Sequence, residues 1–432
     1  MATAVAAVAP SRPRPVPPAA GASTSDGIGR IFPLVTSTAS AATLSDLERR
    51  AGRVLPAIAE QAADREAQRR MPFEQIRLLA AEGLGTWRIP GEVGGPGASA
   101  RRFFEFLLDL AAADANIAQA LRSHFAFVET LRTLPDGERK QHWFDRALAG
   151  ELFGIAGGEV GGAHGAIATT VRPDDAGWSV TGTKFYSTGT LFADLIVVRA
   201  VDEQDRPRQF VIPADRTGVE RIDDWDGIGQ RLTASGTTRL TAVRVHDDEF
   251  LDLPEPGVGR PKVSPFFQLA LAAIEVGIGR AALADAIAWA REKARPIKHA
   301  GVARSVDDPY VRQAVGEMSA LIYAAEATVL GAAEAIGRVD DARERGLDEQ
   351  EPLVAASLDV SRAHFVAVEA ALKASTLLFD VGGASATQRL HNLDRHWRNA
   401  RTIASHNPRA HKLNSIGAYL LDDIEPPLSG FF

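Results

Sequence analysis

Cysteine is absent from all 432 residues, and methionine occurs only three times. Without a thiol, disulfide frameworks, thiolate zinc sites, iron-sulfur clusters and cysteine nucleophiles are excluded together. An excess of one charge is also missing. The 48 basic and 55 acidic side chains leave a net charge of -7, which offers no electrostatic footprint for nucleic acid or an anionic membrane. The ten histidines form no HxxxH pair and no His-carboxylate cluster at ligand spacing, and no GxSxG is present. Metal catalysis and serine hydrolysis are therefore unsupported. No window of about 18 apolar residues suggests a membrane span, and no internal repeat is found. Any chemistry has to come from oxygen and nitrogen side chains or from a bound cofactor.

A chain that is 45% hydrophobic and 24% charged is an ordinary globular protein with room for two or three domains. Residues 1–40 are rich in Ala, Pro, Ser and Gly and read as a disordered tail. A signal peptide is the weaker reading, because the apolar stretch before Pro10 is short and no basic segment precedes it. The expected location is the cytoplasm. From Thr43 the pattern is helical: Ser45 with Glu48 suggests a capping box, and Leu47, Ala51, Val54, Leu55 and Ile58 recur at three- and four-residue spacing. Further helices are expected from Phe73 to Glu82, Arg101 to Asp114, Asn116 to Leu134 and Arg139 to Ala149, giving a helical domain over 41–150. Over 151–260 the grammar changes to short runs of β type (ATTV, WSVTGTKFYS, LIVVRAV, RQFVIPA, TTRLTAVRV), with a hairpin at DDAG, 174 to 177. A small antiparallel barrel or sandwich fits them. Residues 261–432 return to long Ala/Leu-rich helices at 266 to 294, 309 to 338, 350 to 379 and about 386 to 405. Helices apolar on most faces belong in a bundle or a subunit interface, and a homotetramer is the expected assembly.

Five segments recur in this order: GLGTWRIPGEVGGPG (83 to 97), FGIAGGEVGG (153 to 162), GWSVTGTKFYSTG (177 to 189), WDGIGQRLTASGTTRL (225 to 240) and DRHWRNARTIASHNP (394 to 408). Together they resemble the acyl-CoA dehydrogenase fold superfamily from about residue 43 to 425. The resemblance implies an α+β fold: an N-terminal helical domain, a middle antiparallel β-barrel domain and a C-terminal helical bundle. It also implies a flavin lying along GTKFYSTG, with Phe185 or Tyr186 against the ring and Ser187 and Thr188 near its polar edge. The ring needs aligned donors at that edge and a flat apolar partner at its face.

Dehydrogenases of this superfamily commonly place a glutamate base just after the segment matching WRNAR. Here Ser405 and His406 stand there, and a serine hydroxyl is no base for a carbon acid at neutral pH. Other members carry the glutamate on an earlier helix, where Glu275 falls, so an FAD-dependent acyl-CoA dehydrogenase or oxidase is the alternative reading. The tail through HKLNSIGAYLL is more similar to the flavin-dependent monooxygenase branch. That branch binds reduced FMN, in some members FAD, delivered by a separate reductase, forms a C4a-hydroperoxide with O2, and oxygenates a small sulfur, nitrogen or carbon centre. The resemblance implies Trp225 and Ser235 in the flavin site and His406 at the reactive edge. A histidine that is neutral near pH 7 can donate or accept there; as a helix-terminal residue it could instead cap carbonyls. Relatives often carry a second histidine where this chain has Ile403, and polar side chains where it has Gly157 and Gly158.

His124 is a second catalytic candidate, equally readable as a core histidine. Lys293 and Arg295 match basic positions that reach a neighbouring subunit's cofactor, and are equally readable as a solvated helix end. Gly382 and Gly383 resemble the loop that approaches cofactor phosphates from another subunit. Arg395, Arg398, Arg401 and Asp394 are expected to form a buried ion network.

Overall fold

The computed structural model describes residues 42–161, 165–175, 177–251, 260–430 and 432; the tail expected over 1–40 lies outside them. Six helices come first: α1 (Leu44–Glu60), α2 (Ala62–Ala67), α3 (Phe73–Ala81), α4 (Ala100–Ala113), α5 (Ala115–Thr133) and α6 (Glu138–Leu148). The buried stripe of α1 is the expected set, Leu47, Ala51, Val54, Leu55 and Ile58. Its capping box is not Ser45 with Glu48. Thr43 caps the helix two residues earlier, its side chain accepting from the Asp46 amide at 3.2 Å while the Asp46 carboxylate accepts from the Thr43 amide at 3.1 Å. The reciprocal pair satisfies orphan amides at the first turn, and it needs only a short acid at the third helical position. Ser99 and Asp114 cap α4 and α5 with one side-chain bond each, accepting from the Arg102 and Asn116 amides, so these helices begin one residue before the expected starts.

Seven strands follow: β1 (Phe153–Ala156), β2 (Thr170–Asp174), β3 (Gly177–Lys184), β4 (Leu195–Val201), β5 (Pro207–Pro213), β6 (Val219–Arg221) and β7 (Thr238–Val245). The DDAG hairpin forms, with Asp174 opposite Gly177. The sheet is not purely antiparallel. β1 runs parallel to β4 and β2 meets the end of β4 in parallel at Thr170 and Val201, while the other pairs are antiparallel, in the order β1-β4-β2-β3-β7-β6 with β5 on β4. The reason is visible in β4, whose two faces are both buried. Leu195 and Val197 pack with Phe127, Leu131 and Trp143 of the helical layer, and Ile196, Val198 and Ala200 pack with Val171, Val180 and Val243 inside the curl of the sheet. A strand buried on both faces reads as a continuous apolar run and suits parallel neighbours.

The last five helices are α7 (Ser264–Glu292), α8 (Pro309–Glu344), α9 (Gln350–Ala386), α10 (Arg395–Ala404) and α11 (Arg409–Asp422). Of the helix expected from about 386 to 405 only Arg395–Ala404 forms, because α9 runs on to Ala386 with a kink near its end and a turn then intervenes. Gly383 adopts φ 60° and ψ -161°, which only glycine takes without strain, and Asn392 is left-handed before α10 begins. α7 threads the middle of one core that joins α1, α4 and α5 to α8 and α9, so the first and last helical segments share their interior. Contrary to the sequence reading, α7 and α8 are each long and apolar enough to cross a membrane by composition; most of α7's apolar window is buried within the protein and most of α8's is not.

Candidate active site

The turn after β3 makes one wall. Tyr186 is left-handed (φ 56°) and exposed, with Phe185 edge-on at 4.8 Å and Trp225 edge-on at 6.0 Å, so three aromatic rings form a run open to solvent. Phe185's amide donates to the Gly158 carbonyl at 3.0 Å, and a Cβ on Gly158 would lie 3.1 Å from Phe185's carbonyl oxygen. Behind the rings runs a chain of hydroxyls. Thr233 Oγ1 donates to the Gln230 carbonyl at 2.8 Å, Ser235 Oγ lies 2.8 Å from Thr233 Oγ1, and Thr188 Oγ1 lies 2.8 Å from Ser235 Oγ. Each hydroxyl has one proton. With Thr233's committed to Gln230, Ser235 donates to Thr233 and Thr188 to Ser235, which leaves Thr188 an acceptor for a ring N–H.

Helix α5 braces this wall: Ser123 Oγ donates to the Thr188 carbonyl at 2.8 Å. The 223–236 segment is held on α5 as well and on α10. The Gln230 amide donates to Asn399 Oδ1 at 2.7 Å, and the Leu232 amide donates to Asn116 Oδ1 at 3.1 Å. Trp225 Nε1 donates to the Gln230 carbonyl at 2.9 Å. Opposite, the corner between α10 and α11 presents His406, whose Nε2 lies 3.5 Å from Arg122 Nη2 of α5. Crowding by the surrounding protein, and next the Arg122 charge, push the His406 imidazole down to about 4, although one side of the residue stays open to solvent. It is neutral at pH 7. Arg122 can only donate, so Nε2 accepts and Nδ1 carries the proton.

The homology of the chain agrees with this geometry. Residues 53–151 match the model of the acyl-CoA dehydrogenase N-terminal domain, and residues 269–409 match that of the acyl-CoA dehydrogenase C-terminal domain. A dibenzothiophene monooxygenase of Rhodococcus erythropolis is 30% identical over 367 residues, spanning 82% of this chain and 87% of the relative. The chain belongs to the acyl-CoA dehydrogenase family, on its flavin-monooxygenase branch. A probable FMNH2-dependent monooxygenase, SfnC, of Pseudomonas putida is also 30% identical, covering 85% of this chain and 93% of SfnC. FMN-bound TdsC from Paenibacillus sp. A11-2 superposes with a TM-score of 0.83 at 29% identity, over 90% of this chain and 100% of TdsC.

Against this family background several expected site residues take other roles. Ser187 is fully buried and its hydroxyl is sealed without a partner, so it lies behind the wall and cannot meet a ring in the cleft. His124 has no free atom: Nε2 lies 3.0 Å from the Gly85 carbonyl and Nδ1 accepts from the Phe153 amide at 3.3 Å. Burial pushes it down to about 4, and it works as a neutral core clamp between α5, the 83–89 segment and β1. Ser405's proton goes to the Arg401 carbonyl at 2.9 Å, a back-bond at the end of α10. Glu275 is fully buried in α7, and the one hydrogen-bonding group acting on it among the described residues is the Ala404 amide. Burial raises its carboxyl well above the ordinary range against the opposing charges of Arg401 and Arg409. The relatives that match over four fifths of the chain are monooxygenases, which weighs against the dehydrogenase reading that would use this carboxyl as its base.

Lys293, Gly382 and Gly383 gather elsewhere, around Trp289 at the end of α7. Lys293 Nζ lies 5.1 Å over the Trp289 ring and a Cβ on Gly382 would lie 3.4 Å from its indole nitrogen. Arg295 is exposed beside them. The expected ion network is split: Arg398 holds Glu66 at 2.6 Å and Asp394 at 2.8 Å, Arg395 holds Asp285 at 2.7 Å, and Arg401 has no ion pair among the described residues.

Sequence reasoning missed Thr233, Ser123 and Arg122. Thr233 lies inside a quoted motif but has no signal of its own, and Arg122 is a lone cation in the apolar run QALRSHFAF. Gly229 is a further hidden requirement. A Cβ there would lie 2.0 Å from the Arg398 carbonyl oxygen and 2.7 Å from the Asn399 amide, both backbone. Gly229→Ala is therefore expected to push the Trp225–Ser235 segment off α10 and weaken FMN binding at least about tenfold, since such overpacking costs about 1–3 kcal/mol. Fluorescence titration with FMN measures it, with circular dichroism to confirm unchanged helix content.

Proposed function

We propose that this chain is the oxygenase half of a two-component flavin monooxygenase. It takes reduced FMN from a separate reductase and uses O2 to oxygenate a small organic substrate, with a sulfur centre favoured. The observation that carries the reading is the open aromatic run backed by the Thr188–Ser235–Thr233 hydroxyls and faced by a neutral His406, in a family member whose relatives are sulfur monooxygenases. Bound reduced flavin supplies two electrons; one atom of O2 goes to the substrate and the other leaves as water. In this reading Phe185, Tyr186 and Trp225 cover the ring, and Thr188 and Ser235 fix its polar edge. His406 holds its Nδ1 proton toward the reacting oxygen. Lys293, Arg295, Gly382 and Gly383 form the surface that serves a neighbouring subunit's cofactor. The outward apolar face of α8, with Tyr310 and Tyr323 exposed, supports a homotetramer.

Isotopically labelled O2 tests the proposal. With FMN, a reductase, NADH and dibenzothiophene or thioanisole, label is expected in the sulfoxide. FMN bound, with peroxide as the sole oxygen product across a panel of thioethers and amines, would count against it. His406→Ala is expected to lower oxygenated product about 100-fold and to divert oxygen to peroxide, the scale typical of losing a positioned proton donor.

A further inference from the structure

Arg122 is a half-buried guanidinium with no carboxylate partner among the described residues. Its only neighbours within hydrogen-bond range among the described residues are Gln119 Oε1, at 3.2 Å from Nε, and His406 Nε2 at the long distance of 3.5 Å. A fork with five donors thus has one good acceptor. Burial alone pushes it down to about 10, with no acid nearby to hold it up. Elsewhere the chain compensates its buried arginines: Arg65 holds Asp114 at 2.8 Å and Arg88 holds both Glu129 and Asp340. A desolvated cation left unpaired is costly, which indicates that its partner comes from outside the chain.

The surroundings of Arg122 are charged in one sense. On α5 the adjacent groups are Gln119 and Ser123, both neutral. From the corner after α10 comes His406, on which Lys412 of α11 also acts as a positive charge. The buried carboxyl in this region, Glu275 of α7, is protonated, and Glu369 of α9 is taken by Arg409. Also on α9, His364 is buried, neutral and pushed down to about 3. Among the described residues no carboxylate is bonded to His406 or Arg122. Its place is fixed as well: Ser123, the next residue, ties α5 to Thr188, and the Ala120 carbonyl backs Gly189. Arg122 therefore reaches His406 from the helix whose next residue braces the aromatic wall.

Building on the function proposed above, we infer that Arg122, paired with His406, anchors an anionic group of the substrate, a carboxylate, sulfinate or sulfonate. A planar or forked oxyanion accepts two parallel N–H bonds from one guanidinium, and lysine cannot reproduce that geometry. The substrate class becomes a small organic acid carrying an oxidisable centre, oriented with its charged end on α5.

The test uses the full chain loaded with FMN. Benzenesulfinate, benzoate and the neutral thioanisole are titrated in, and binding is read from the flavin absorbance change. The two acids are expected to bind wild type more tightly than the thioether. Arg122→Gln should weaken the acids tenfold or more and leave thioanisole and FMN affinity unchanged, with Arg122→Lys only partly restoring the acids. A second readout is the His406 ring titration by NMR, which should move up when the neighbouring positive charge is removed. Acids that bind wild type no better than thioanisole, or that ignore Arg122→Gln, would overturn the anchor while leaving the monooxygenase reading intact. Loss of FMN affinity in Arg122→Gln with acid binding unaltered would assign the cation to the flavin and overturn it too. Wild type that binds no FMN at all would sink both.

Discussion

Lowering the pH from 7 through 5.5 is expected to destabilise the protein steeply, because three buried histidines are held neutral. His124 and His396 are pushed down to about 4 and His364 to about 3, in each case by burial first. Arg395 next lowers His396, against Asp285, and Lys412 and His406 add to the effect on His364. The sign follows from proton counts. Above pH 6.5 these rings are neutral in both states and stability is full. Between about 6.5 and 4 the unfolded chain binds a proton at each and the folded chain does not, so stability falls as pH falls. Glu275 opposes them: raised in the folded state, it keeps a proton that the unfolded chain has lost above about 4.5, the ordinary glutamate range. Asp285, lowered by its hydrogen bonds to His396 and Arg395, stays ionised throughout and does not enter. His406, open to solvent, contributes little. The balance near pH 5.5 is a net uptake of about two protons on unfolding, or about 3 kcal/mol per pH unit. Urea midpoints at pH 7, 6 and 5.5 read the slope, and His364→Phe should remove about one proton from it. A flat profile would mean the rings are solvated.

The second large effect concerns Arg88. Its guanidinium binds Glu129 through two contacts, at 3.0 and 2.9 Å, Asp340 at 2.6 Å and the Ala98 carbonyl at 2.6 Å. Burial works against this charge and the two carboxylates more than restore it. Arg132 and Arg343 extend the network to Asp340 and Glu349. It fastens the segment before α4 to α8, two parts of the chain about 250 positions apart, beside the apolar core they share. Arg88→Ala should cost about 3–5 kcal/mol, because it leaves carboxylates buried and short of a partner. Chemical denaturation reads the loss. Replacing the pair together, Arg88→Met with Glu129→Leu, should recover much of it, since the penalty lies in the unpaired charge.

How much of this could be read from the sequence depends on whether a feature is local. The buried stripe of α1, the succession of helices, strands and helices, and the Thr188 and Ser235 positions follow from spacing and motif order, which are properties of consecutive residues. The failures share a different cause. Whether Ser187's hydroxyl faces the cleft depends on the strands around it, and its sealing could not be seen in KFYSTG. His124 looked free because the two backbone groups that claim its nitrogens belong to Gly85 and Phe153, 39 and 29 residues away. Mixed strand pairing arises because β4 is covered on both faces by segments distant in sequence. Arg122 was passed over for a related reason: an arginine is informative only when its neighbours in space lack a carboxylate.

Glu275 offers one practical return. The carbonyl stretch of a protonated carboxyl absorbs in a part of the infrared spectrum that amide bands and ionised carboxylates leave empty, and its frequency follows the number and strength of hydrogen bonds it makes. Because the Ala404 amide is the one hydrogen-bonding group that acts on Glu275 among the described residues, its band should lie toward the high-frequency end for the free chain. Any water or ligand that reaches the α10–α11 corner would lower it, so a natural residue serves as a label-free gauge of how dry that corner remains during turnover.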